Sequence, residues 1–127
     1  MASKEYWVDL AEYDLATAKA MMDTKRYLYV GFMCHQCIEK ALKGFCVFQG
    51  LSNPPYTHNL MTLAEKSGLI IELNDHQLDF LDFIQPLNIE TRYPETKQKL
   101  LQVLTEERCM EIYTKTEEFF KWVKKKL

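Results

Sequence analysis

Apolar residues recur at three- and four-residue steps along most of this chain, the period of helices with one buried face. The pattern predicts a first helix from about Lys4 to Thr24, with Trp7, Leu10, Ala11, Ala18, Met21 and Met22 facing inward. After a short turn at Asp23–Arg26, a second helix runs from Tyr27 towards Gly50, carrying Val30, Cys34, Cys37, Ile38, Ala41, Phe45 and Phe48 on its apolar stripe. Gly50 stands where a left-handed residue ends a helix without steric cost. The stretch Leu51–His58 holds two prolines and breaks the pattern. A short third helix follows over Asn59–Ser67, closed by Gly68. A fourth runs over Asn74–Leu87, with Phe80, Leu81, Phe83, Ile84 and Leu87 on a broad apolar face and Asp75, Asp79 and Asp82 opposite. A face that broad suits two neighbours, one of which would be a second copy of the chain. Asn88–Pro94 reads as irregular, Glu95–Leu104 as a short helix, and the last helix starts near Thr105.

The expected fold is therefore all-α, an up-and-down bundle of four to five helices in one domain over residues 1–127. A chain of this length buries roughly two-thirds of its unfolded surface and needs no staples. Gly31 and Gly44, inside the second helix, mark places where another backbone comes close.

Charge changes this picture little. The formal net charge is −2, so no global field draws the chain to nucleic acid or to an anionic membrane. No apolar run reaches the ~18 residues of a membrane span. The start, MASKEYWVDLAEYD, is too polar for a signal peptide, so the cytoplasm is the expected compartment. Three of the four cysteines share one helix, which argues against a disulfide framework and for buried thiols.

Candidate chemistry is sparse. Cys34-His35-Gln36-Cys37 has the C-x-x-C form, but it lies mid-helix with no preceding strand and no second pair of ligands, which speaks against a redox or metal site. No phosphate-binding glycine loop and no catalytic metal or cofactor is expected. His35, His58 and His76 stand in no known nucleophile motif. Beside the apolar stripe of the second helix runs a polar line, Gln36, Glu39, Lys40 and Lys43, which reads equally as a solvent face or as a site. Asp14 falls inside the apolar face of the first helix. It needs a partner or a place at the rim, and Lys40 is the partner we expect for it across the first helix pair. Arg92, next to Tyr93 and Pro94 in an irregular segment, suits a phosphate or carboxylate ligand, or an internal acid such as Glu90.

Three motifs in order resemble the HEPN (higher eukaryotes and prokaryotes nucleotide-binding) domain family. They are Cys34–Phe45 (CHQCIEKALKGF), Pro55–Leu60 (PYTHNL) and Thr91–Glu95 (TRYPE). The resemblance implies a helical bundle that dimerises and works beside nucleotides, RNA or a small nucleotidyltransferase partner, often in a toxin–antitoxin pair. The ribonucleases of the family carry Arg, four to six residues, then His. Here the corresponding positions hold Gly31, Phe32 and Met33 after Arg26, Lys97, Gln98 and Lys99 after Arg92, and Tyr113, Thr114 and Lys115 after Arg108. The expectation is a non-catalytic homodimeric module that binds a nucleotide or a nucleotidyltransferase through Lys40, Lys43, His58, Arg92 and Tyr93. The alternative is a ribonuclease with a displaced site built on His58 or His35 with Arg92. His58 is otherwise expected to cap or brace the third helix.

Overall fold

A computed structural model describes residues 2–88 and 94–127, with only the backbone of residues 94–97. Among these residues six α-helices follow one another: α1 Lys4–Asp23, α2 Tyr27–Phe48, α3 Leu60–Lys66, α4 Asp75–Ile84, α5 Pro94–Val103 and α6 Glu106–Lys124. Among the described residues there is no strand. The all-α up-and-down bundle is the one expected, with α3 so short, at seven residues, that it serves mainly as a connector.

Local chemistry sets the ends. The Ser3 hydroxyl accepts from the Tyr6 N–H at 3.2 Å and starts α1. The Asn59 side chain caps α3, accepting from Thr62 at 2.9 Å. Asn74 and Gln77 form a reciprocal capping box at the start of α4, and Thr105 accepts from Arg108 to start α6. Gly68 adopts φ 79° after α3 and Gly50 φ 98° after α2, both left-handed as their positions demand. Lys25 also takes a positive φ, 61°, in the tight α1–α2 turn, a conformation that costs a non-glycine residue some strain.

Two boundaries differ from the sequence pattern. Leu69–Glu72 forms a 3-10 turn where no element was expected, because Leu69 is pulled wholly into the core. The fourth helix stops at Ile84, and Gln85–Leu87 tightens into a 3-10 turn at Pro86, whose ring cannot continue the α-helical ladder.

α2 is the axis. It packs against α1, α6, α3, α4 and α5, and thirteen of its residues are buried. A helix with that many neighbours buries more than one stripe. Leu28, Gly31, His35, Leu42 and Cys46 form a second buried line beside the Val30–Phe45 stripe. Both mid-helix glycines are tight contacts, with a backbone at hand for Gly44 and only side chains, Leu87 and Leu104, for Gly31. A Cβ on Gly44 would lie 3.2 Å from the Trp7 Cβ and 3.5 Å from the Lys4 carbonyl oxygen, and one on Gly31 would lie 3.2 Å from Leu87. No helix of the described residues is long and apolar enough to cross a membrane.

Candidate functional site

The polar line of α2 is not a solvent face. Glu39 lies inside the second buried stripe and is only 2% exposed. A carboxylate so placed must be matched by donors, since an unpaired buried charge costs several kcal/mol. Two donors converge on it. Lys43, one turn further along α2, donates to Oε2 at 3.1 Å, and the ammonium also lies 5.7 Å from the centroid of the Trp7 ring. His58, from the segment leading into α3, places Nδ1 2.8 Å from Oε1.

That contact fixes the chemistry of His58. A carboxylate oxygen can only accept, so Nδ1 carries the proton and a neutral ring keeps its lone pair on Nε2. The His58 side chain remains 68% exposed, so the imidazole is anchored from below by a buried acid and presented to solvent. Gln85 steadies the same segment by donating to the His58 carbonyl at 3.1 Å and accepting from the Leu60 N–H at 2.7 Å. His58 therefore braces the entry to α3, while the cap itself is Asn59.

A second chain of contacts runs beside the first. Lys40 donates to Asp14 Oδ2 at 3.0 Å and to Gln36 Oε1 at 3.1 Å. Gln36 donates in turn to Asn88 Oδ1 at 2.9 Å. Asp14 is 8% exposed, so its charge is answered inside the α1–α2 interface. Among the described residues the line ends at Asn88. Arg92 and Tyr93 lie outside the described residues.

Beneath Glu39 sits His35, fully buried one turn earlier on α2, with Nδ1 3.9 Å from Glu39 Oε1. Neither ring nitrogen has a hydrogen-bond partner among the described residues. Burial in an apolar surround penalises the imidazolium and pushes the His35 pKa down to about 4, against the pull of the Glu39 carboxylate. His35 is therefore held neutral. The thiols flanking it are equally inert: burial pushes Cys34 up to about 12 and Cys37 well above the ordinary thiol range. Reactive cysteines are shifted the other way. Among the described residues no group of three or more His, Cys, Asp and Glu side chains could hold a metal ion.

The structure thus brings Lys40, Lys43 and His58 into one polar framework on α2 and engages both lysines with internal acids. Sequence reasoning missed the depth of Glu39 and the parts played by Gln85 and Asn88. The signal for Glu39 was present: it continues the spacing of Leu28, Gly31, His35, Leu42 and Cys46.

The HEPN domain model matches residues 4–126. The crystal structure of TT1696 from Thermus thermophilus superposes with a TM-score of 0.84, at 20% identity, over 100% of both chains. That of ST0689, an archaeal HEPN homologue, superposes with a TM-score of 0.73, at 27% identity, over 99% of this chain and 98% of the other. No curated protein matches this chain.

Proposed function

The chain belongs to the HEPN domain family, and on that premise we propose that it is a non-catalytic module that binds a nucleotide or a small nucleotidyltransferase partner. It works as a homodimer, in a pair of the toxin–antitoxin kind. The residues that contact the ligand are His58, Arg92 and Tyr93, and Lys40 and Lys43 serve as frame through their acids Asp14 and Glu39. The observation that carries this reading is the Glu39-anchored His58, which offers one fixed hydrogen-bonding nitrogen at the surface without an arginine at the spacing the family's ribonucleases use. The residue types at Arg92 and Tyr93, a planar guanidinium and an aromatic ring, suit phosphate and base recognition.

Calorimetric titration with nucleoside triphosphates and with a purified nucleotidyltransferase tests it. Binding that His58→Ala and Arg92→Ala each weaken at least about tenfold, a loss of ~1.4 kcal/mol, is the expected result. No heat with either probe would remove the proposal.

One observation favours a second reading. A carboxylate behind an exposed imidazole is also how enzymes orient a general base. On that reading the protein cleaves RNA from a displaced site at His58. Cleavage of RNA by the pure protein, lost in His58→Ala and Glu39→Gln, would establish it. An inert protein across many RNAs would leave the binding module standing.

A further inference from the structure

The opposite bank of the bundle carries a feature that the α2 framework does not use. Between α4 and α6 lies a cleft of about 700 Å³, floored by Phe80, Phe83, Phe119 and Trp122. Phe119 sits 6.0 Å from Phe80 and 5.9 Å from Trp122, centroid to centroid, so these three rings form a continuous aromatic array. A second concavity, about 670 Å³, runs on along α6 and shares Lys115 and Glu118 with the first. The two together follow α6 from Glu106 to Trp122, a length of ~24 Å at ~1.5 Å per residue. A small molecule would fill one end only.

The banks are acidic. Asp79, Glu106, Glu107, Glu111 and Glu118 line the groove, and Lys115 is the lysine set among them. Cations already lie on its rings. The Arg108 guanidinium stands 5.8 Å from the Phe83 centroid, with a nitrogen 3.9 Å from Glu111. The Lys126 ammonium stands 4.5 Å from the Trp122 centroid and donates to Glu72 at 2.8 Å. Each is a basic side chain laid over an aromatic face and tied to an acid, at opposite margins of the array.

We infer that this groove docks a basic amphipathic helix from a protein partner. The helix lays an apolar stripe on Phe83, Trp122 and Met110 and sets its Lys or Arg margins against Asp79, Glu111 and Glu118. Helix-in-groove recognition needs an apolar floor with a charged rim; the aromatic cleft with Met110 further along α6 supplies the floor, and the acids supply the rim. Cations over Trp and Phe add to the contact once desolvated. The same acid banks repel phosphates, so an RNA strand is excluded from this face. The inference does not rest on the nucleotide reading, because the two use different elements.

The test uses the full chain and a synthetic amphipathic helix about four turns long, with Leu and Phe on one face and Lys and Arg at its margins, followed by fluorescence anisotropy. Asp79→Lys with Glu118→Lys is expected to weaken binding at least about tenfold. Glu5→Lys with Asp9→Lys, which makes the same change of net charge on the exposed face of α1, is expected to change it less than about twofold. Phe83→Ala, at an exposed position, weakens it several-fold at high salt, where charge is screened and the apolar contact remains. Equal losses in the two charge-reversed pairs would reduce the effect to net charge and overturn the inference. So would absence of binding, or a homodimer that Phe83→Asp dissociates, since the groove would then hold a second copy.

Discussion

The two polar regions of this molecule use the same residue types in opposite ways. On α2 the charges are inside: Glu39 and Asp14 are buried, and Lys43 and Lys40 answer them. Between α4 and α6 the charges are outside, around an open groove at which Phe83 and Trp122 stay partly exposed over the buried Phe80 and Phe119. A buried ion pair contributes little net stability but punishes the loss of either partner, whereas a rim charge hardly affects folding and decides which partner approaches. One region therefore specifies the fold and the other is available for recognition.

That contrast is broken most severely at Glu39. Glu39→Ala leaves Lys43 largely buried without its acceptor and should cost about 3–5 kcal/mol in urea unfolding. A loss below about 1 kcal/mol would mean that the framework is not what holds α2 and the α3 entry together.

Next in size is a pH effect. The folded state holds His35 neutral, with its pKa down at about 4 against the ordinary value of 6.5. Its contribution is complete above pH 6.5, where both states are neutral. It is lost as pH falls towards 4, because the unfolded chain takes up the proton first. The loss amounts to about 3 kcal/mol over that interval. His35→Met should flatten the fall in stability between pH 6.5 and 4, and an unchanged slope would assign it to other groups.

A smaller effect belongs to the α1–α2 contact. Gly44→Ala gains helix propensity but presses a Cβ against Trp7 and the Lys4 carbonyl. Overpacking of that kind costs ~1–3 kcal/mol and propensity returns up to ~1, so a net loss of about 1 kcal/mol is expected from thermal unfolding. Smallest of all, Asp79→Lys and Glu118→Lys should each move stability by less than about 0.5 kcal/mol, while changing the peptide affinity of the groove. A large destabilisation there would place those acids in the fold rather than at a recognition surface.

Much of the fold was legible because it is written in periodicity and punctuation. The apolar stripes, Gly50, Gly68 and Thr105 mark α1, α2, α3 and α6 with local signals that the tertiary structure does not override. The depth of Glu39 was harder, since Gln36, Glu39, Lys40 and Lys43 have the composition of a wetted face. The spacing of Leu28, Gly31, His35, Glu39, Leu42 and Cys46 marks a second stripe, but that this stripe is buried is decided by the number of helices packed on α2, a tertiary fact. The groove was hidden for the converse reason. Phe80 and Phe83 read alike as one apolar face of α4, and no periodicity tells that Phe80 is buried while Phe83 stays exposed at a cleft beside α6. Gln85 and Asn88 act at a distance of 25 or more residues from their partners, beyond any local pattern.

The central claim, that the α2 polar line is internal framework, is tested most directly by a double-mutant cycle on Asp14 and Lys40. Asp14→Asn, Lys40→Met and the double variant are compared with the unaltered chain by urea unfolding. The account predicts a coupling of about 1–2 kcal/mol, with the double variant more stable than the two single losses would sum to. Additive losses, with a coupling within about 0.3 kcal/mol of zero, would contradict it and return Lys40 to the solvent or to a ligand.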